Sequence, residues 1–194
     1  MARGLLIIDV QNDFTEGGAL GVDGGAAVAA GVTRLLASDP HRYDLVVASR
    51  DWHNGDDDNG GHFATDAPPD FVTTWPVHCV AGTFGAEYHS ALDERAIDAH
   101  ILKGQGVPAY SIYEGRTDAG TGLTALLDAA DVHSLDVVGI ATDYCVRASA
   151  LDALSDGRDV RVLLDLIAGV SPETSARALD ELRSAGVRLG RSDD

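Results

Sequence analysis

The sequence predicts an α/β fold, a three-layer α/β/α sandwich with a mainly parallel, doubly wound sheet. Three observations carry this expectation. Short, continuous apolar runs recur along the 194 residues, at 4–10 (GLLIIDV), 43–49 (YDLVVAS), 135–140 (LDVVGI) and 160–166 (VRVLLDL). Such runs suit strands buried on both faces. Between them lie segments with apolar residues at helical spacing, and strands separated by helices need right-handed crossovers that leave the strands parallel.

Each element has its own signal. Residues 4–10 form the first strand, with Asp9 at its end. Residues 26–37 repeat apolar side chains at helical spacing, and 43–49 form the second strand. Residues 51–84 hold Gly, Pro, Asp and His without a sustained period, so they read as a long irregular loop, the kind that is usually functional or disordered. A short third strand is expected at 97–103, ending on Lys103. A short helix follows at 122–130, then a fourth strand at 135–140, a helix at 143–155 and a fifth strand at 160–166. Ser171 reads as the N-cap of a last helix, with Pro172 at its first position and an end near Ala185. Residues 187–189 could add a short final strand. No repeat, low-complexity tract or linker divides the chain, so one domain over 1–194 is expected, with a metal-binding loop insertion at about 51–84.

Composition narrows the class. The chain holds 13 Arg but one Lys, and 25 Asp with six Glu, for a formal charge of −17. That charge disfavours nucleic acid and anionic membranes as partners. Two cysteines are too few for a disulfide framework. No signal-peptide pattern precedes the first strand, and the longest apolar runs are about half a membrane span, so a soluble cytoplasmic protein is expected. The lone lysine, Lys103, stands out in a chain that otherwise uses Arg.

A parallel sheet binds ligands outside the carboxyl ends of its strands. Four such ends carry chemistry here: Asp9 after the first strand, Asp51 and His53 after the second, Lys103 on the third, and Cys145 opening the helix after the fourth. Each residue alone is weak evidence, because a strand-end Asp is usually a cap and a single Cys is usually an inert buried side chain. Together they form a plausible base, electrostatic activator and nucleophile in Asp9, Lys103 and Cys145. A helix N-terminus and a neighbouring lysine are expected to lower the Cys145 thiol pKa. The loop supplies a second set. Asp51, His53, His62 and His78 suit a borderline divalent ion such as zinc, iron or manganese. The run Asp56-Asp57-Asp58 lacks the spacing of a calcium loop and reads as a solvated turn. The Gly17-Gly18 and Gly24-Gly25 pairs lack a phosphate-binding fingerprint.

These residues resemble the nicotinamidases, also called pyrazinamidases, within the isochorismatase-like hydrolase superfamily. The matching segments are Ile8-Asp9-Val10-Gln11-Asn12-Asp13-Phe14, Asp51-Trp52-His53, Thr74-Trp75-Pro76-Val77-His78-Cys79, Lys103-Gly104 and Val138-Gly139-Ile140-Ala141-Thr142-Asp143-Tyr144-Cys145-Val146. The resemblance implies the isochorismatase-like hydrolase fold and conversion of nicotinamide to nicotinate and ammonia in NAD salvage, with pyrazinamide as a further substrate. It implies a catalytic triad of Asp9, Lys103 and Cys145 and one metal ion on Asp51, His53, His62 and His78. It also implies a cis Ile140–Ala141 peptide, an oxyanion hole from the Ala141 and Cys145 amides, and a ring-binding wall of Phe14, Trp75 and Tyr110. Cys79 is expected to be a buried spectator. The resemblance allows a homo-oligomer. Two alternatives stay open at this level: a related amidase acting on a carbamoyl or ureido compound, and a non-catalytic metal- or ligand-binding domain.

Overall fold

The computed structural model describes residues 2–194. Its centre is a six-stranded, all-parallel sheet in the order β3-β2-β1-β4-β5-β6. The strands are β1 (Ala2–Ile8), β2 (Leu45–Asp51), β3 (Ala99–Lys103), β4 (Val132–Ile140), β5 (Asp159–Ala168) and β6 (Arg188–Gly190). The helices are α1 (Gly25–Ser38), α2 (Leu123–Ala129), α3 (Arg147–Ser155) and α4 (Pro172–Ala185). The sandwich predicted from the apolar runs is therefore the fold observed.

Strand alternation builds two cores from one strand. Leu5 and Ile7 of β1 join Val28, Val32 and Leu35 of α1 on one face of the sheet. Leu6 and Ile8 point the other way, against Leu127, Ala150 and Leu182 of α2, α3 and α4. All four β1 side chains are fully buried, and each such burial contributes about 1.5–3 kcal/mol. This explains why β1 reads as a continuous apolar run rather than an alternating one.

Several boundaries differ from the sequence expectation. β4 begins three residues earlier, because ladder pairing starts in polar residues ahead of the apolar stretch (Ser134 with Asp159), and β5 extends to Ala168, because Ile167 and Ala168 still pair with Gly139 and Ile140. Asp51 closes β2 instead of following it, paired with Lys103 at the end of β3. The helix expected at 143–155 opens as one π-helical turn, Thr142–Val146, before α3 continues it. The last helix forms as read: the Ser171 hydroxyl accepts from the Thr174 amide, Pro172 is the first helical residue, and Gly186 ends it.

The strand order reverses between β1 and β4, the switch point at which doubly wound sheets hold ligands. The two strand ends approach closely there. Gly139 has φ 121, and a Cβ on it would collide with the Ile8 carbonyl. Asp9 leaves β1 with φ 48, a left-handed conformation that Asp tolerates better than most residues. Among the described residues, no helix is long and apolar enough to cross a membrane.

Candidate active site and metal centre

The fold brings the strand-end residues into one buried cluster. Lys103 is fully buried at the centre of it. Its ammonium lies 2.9 Å from Asp9 Oδ2 and contacts Asp51 Oδ1. It also donates to the Ala109 carbonyl at 3.3 Å and stands 3.8 Å from Cys145 Sγ. One carboxylate oxygen each from Asp9 and Asp51 and the Cys145 sulfur lie within 4.8 Å of one another. Asp9, Lys103 and Cys145 are thus assembled from the ends of β1 and β3 and from the turn after β4.

The charges of this cluster depend on one another. Burial disfavours the Lys103 cation, but Asp51 and Asp9 outweigh it and hold its pKa well above the ordinary lysine value. Burial pushes the Asp9 carboxyl above the usual carboxylate range, with Lys103 opposing and Asp51 adding to the rise. The Asp51 carboxyl feels the same burial, yet Lys103 and the neighbouring His53 and His78 rings hold it well below its ordinary value. Burial also pushes the Cys145 thiol well above the ordinary value; Lys103 counters this, and Asp9 and Asp51 reinforce it. The sequence expectation of a lowered thiol pKa is corrected here. A lysine beside a helix start favours thiolate in the open, but this one shares its charge with two carboxylates inside a buried cluster.

The second set converges next to the first. One ring nitrogen each from His53, His62 and His78 lie within 4.8 Å of one another, and all three side chains are buried. Asp51 Oδ2 stands 3.6 Å from His53 Nε2 and 3.8 Å from His78 Nε2. Asp51 therefore joins the two clusters, one oxygen toward Lys103 and the other toward the imidazoles. His53 donates from Nδ1 to the Gly104 carbonyl, and His78 from Nδ1 to the Pro76 carbonyl, each at 2.7 Å. Those bonds fix the tautomer that presents a bare Nε2 to the cluster, as ligand histidines require. Gly104 has φ 85, and a Cβ there would strike the His53 ring. Burial, then the neighbouring His78 and His53, push the His62 pKa down to about 4, so His62 is neutral near pH 7. The buried His53 Nε2 and His62 Nδ1 have no hydrogen-bond partner. Three buried imidazoles, two with unsatisfied buried nitrogens, and one ionised carboxylate fit a divalent transition-metal ion.

A cavity of about 280 Å³ opens onto both clusters, with Cys145, Asp51, His62 and His78 in its lining. Phe14, Trp75 and Tyr110, the expected ring-binding residues, all line it. The Trp75 indole donates to the Tyr110 hydroxyl at 3.1 Å. Ala141 also lines it, next to a cis Ile140–Ala141 peptide. Cys79 is fully buried, and both cysteines are free thiols.

Some residues of the site were not read from the sequence. Tyr144 lines the cavity, packs edge-on against Trp75 at 5.0 Å and donates to the Phe71 carbonyl at 3.3 Å. Its signal was its place beside Cys145. Ser49 is fully buried, and its hydroxyl donates to Asp9 Oδ1 at 2.6 Å. It lies two residues before Asp51, hence on the same face of β2. Gln11 clamps the end of β2: its Oε1 accepts from the Asp51 amide and its Nε2 donates to the Asp51 carbonyl, at 2.8 and 2.9 Å. A polar residue inside or just past an apolar strand was the available signal for both.

Residues 3–194 match the isochorismatase domain family. The chain belongs to the isochorismatase family. Among members of that family, it is 49% identical over 187 residues to the nicotinamidase/pyrazinamidase of Mycobacterium tuberculosis, covering 96% of this chain and 97% of the relative. Two solved structures superpose on it over nearly their whole length. One is the pyrazinamidase of Pyrococcus horikoshii in complex with zinc, with TM-score 0.82, 37% identity and coverage of 98% of this chain and 99% of that one. The other is PnC1 from L. infantum in complex with nicotinate, with TM-score 0.84, 35% identity and coverage of 99% and 93%.

Proposed function

We propose that this isochorismatase-family chain is a nicotinamidase, hydrolysing nicotinamide to nicotinate and ammonia in NAD salvage, and pyrazinamide likewise. The observation that carries the reading is that one cavity is bordered by Cys145 and by the imidazole cluster joined to it through Asp51. A pyridine carboxamide has two handles in one plane, the ring nitrogen and the amide carbon. Pyrazinamide keeps both.

The chain's own residues account for the chemistry. The ring lies between Phe14 and Trp75, with Tyr110 closing the wall. The Asp9 carboxylate accepts the Cys145 proton while Lys103 holds the developing charges. The sulfur bonds to the carboxamide carbon as the C=O electrons move to oxygen, and the Ala141 and Cys145 amides receive that oxyanion. Asp9 gives the proton to nitrogen, the C–N bond breaks and ammonia leaves. A water, deprotonated by Asp9, then attacks the thioester; the C–S bond breaks and the thiol is restored. A raised carboxyl pKa suits a residue that must accept and return one proton in each half. Asp51, His53, His62 and His78 would hold one divalent ion (zinc, iron or manganese), whose Lewis acidity anchors the ring nitrogen when it is bound. All these groups come from one chain, so the site needs no second copy. Two free cysteines suit a cytoplasmic location.

The direct test is ammonia release from nicotinamide by purified protein, with metal analysis of the same sample. No release above the uncatalysed rate would defeat the proposal. Stripping divalent ions with a chelator should lower activity, and adding them back should restore it. Full activity in a preparation shown to be metal-free would remove the metal from the reading. Trp75→Ala should act mainly through KM. An aromatic heterocycle stacked on an aromatic side chain gains about 1–3 kcal/mol, so KM should rise roughly 5- to 150-fold. Steady-state kinetics with an unchanged KM would take Trp75 out of the ring site.

A further inference from the structure

Asn59 lies in the turn between His53 and His62, and no step above uses it. Its side chain is fully buried, unlike most asparagines. Its Oδ1 accepts from the backbone amides of Asn54 at 2.9 Å and Gly106 at 3.1 Å. Its Nδ2 donates to the carbonyls of Asn54 at 3.0 Å and Asp57 at 3.4 Å. Both donors and both acceptor sites of the amide are therefore used. Its own carbonyl accepts from the His62 amide at 3.3 Å. Its φ is 50, a conformation in which asparagine is enriched.

One residue thus ties together three stretches that converge on the imidazole cluster, two through its side chain and the third through its backbone carbonyl. Asn54 directly follows His53. Gly106 lies two residues after Gly104, whose carbonyl accepts the hydrogen bond from His53 Nδ1. The Asn59 backbone begins the turn that delivers His62. The intervening chain has little regular structure to fix it, so its order must come from bonds such as these.

We propose that Asn59 is a positioning residue for the metal ligands. It holds His53, the carbonyl that sets the His53 ring and the turn into His62 in one arrangement before an ion arrives. The proposal rests on the assignment of His53 and His62 as ligands. Without the Asn59 amide, a binding ion would have to order the turn itself, and the entropy lost would be subtracted from its affinity.

The test is zinc affinity of purified protein, read by competition with a chromophoric chelator. Asn59→Gly removes the amide and accepts the positive φ without strain. Its zinc affinity should fall about 10- to 100-fold, the range for losing outer-shell support of ligands. Its metal-free form should keep a cooperative melt, and kcat at saturating zinc should stay close to wild type. Asn54→Ala is the neighbour control, losing only the exposed side-chain bond to Asp57; it should bind zinc as wild type does. Wild-type affinity in folded Asn59→Gly overturns the proposal, as does an equal loss in Asn54→Ala, which would mean general loosening of the turn. If Asn59→Gly does not fold, Asn59→Asp serves instead. It keeps both acceptor bonds but sets a carboxylate oxygen against the Asn54 and Asp57 carbonyls, so it too should lose zinc affinity, and wild-type affinity there overturns the proposal. His53→Ala separates the two layers. Undiminished zinc binding in His53→Ala defeats the ligand assignment, whereas loss there with none in Asn59→Gly defeats only the role of Asn59.

Discussion

Cys145→Ala is expected to abolish ammonia release from nicotinamide while leaving the fold and the ring-binding wall in place. Among the described residues, the sulfur is the one nucleophilic atom that borders the cavity beside both a carboxylate and an ammonium. Removing it leaves Asp9 with no proton to take and the carboxamide with no attacking group. The small volume change, at a side chain lying in a cavity wall, should cost little stability. Far-UV spectra and calorimetric titration with nicotinamide check that the variant is folded and still binds ligand. Cys145→Ser is expected to be nearly as inactive, because an alkanol gives up its proton far less readily than a thiol. Substantial turnover by Cys145→Ala would rule out covalent catalysis through this residue and turn attention to direct attack by water.

Lys103→Arg should lose most of the activity although it conserves charge. The ammonium sits in a fully enclosed space bounded by Asp9, Asp51, the Ala109 carbonyl and Cys145. A planar guanidinium is larger and directs its donors along a fixed fork. Fitting it would displace Asp9 from Cys145 or Asp51 from the imidazoles, and overpacking of this kind costs about 1–3 kcal/mol. Lys103→Met should do more, because it leaves two buried carboxylates without their shared cation. Breaking a buried ion pair by removing one partner costs about 3–5 kcal/mol, and the loss should be largest in metal-free protein, where Asp51 has no other cation. Denaturant melts with and without zinc, run beside the ammonia assay, test both variants. Near-normal turnover in Lys103→Arg would reduce the lone lysine to coincidence.

Lys103 also illustrates how far the chain can be read without a structure. A chain with 13 Arg and one Lys marks the position as one where arginine does not serve, and its place at a strand end puts it on the ligand side of a parallel sheet. Asp9 and Cys145 are legible for the same reason. Spacing along the chain gives strand ends, and the topology of a doubly wound sheet turns strand ends into neighbours. The loop histidines were legible as types that bind metals, but their convergence was not, because residues 51–84 have no period from which a path could be computed.

The sequence by itself determined the sandwich, the order of its elements, the Ser171-Pro172 helix start and the set of reactive side chains at the sheet's carboxyl edge. These follow from local chemistry: periodicity, β-branched runs, capping residues and turn residues act over a few positions. The tertiary structure alone decided how the set works. Asp51 faces Lys103 with one oxygen and the imidazoles with the other, Ser49 holds Asp9, Tyr144 reaches Phe71 across the cavity, and Asn59 ties the turn beside His53 to the turn after Gly104. It also reversed the expected direction of the Cys145 pKa. The physical reason is that burial and charge are sums over groups distant in sequence. One lysine near a thiol favours the thiolate, but here burial, reinforced by Asp9 and Asp51, outweighs Lys103 and holds the Cys145 thiol pKa up.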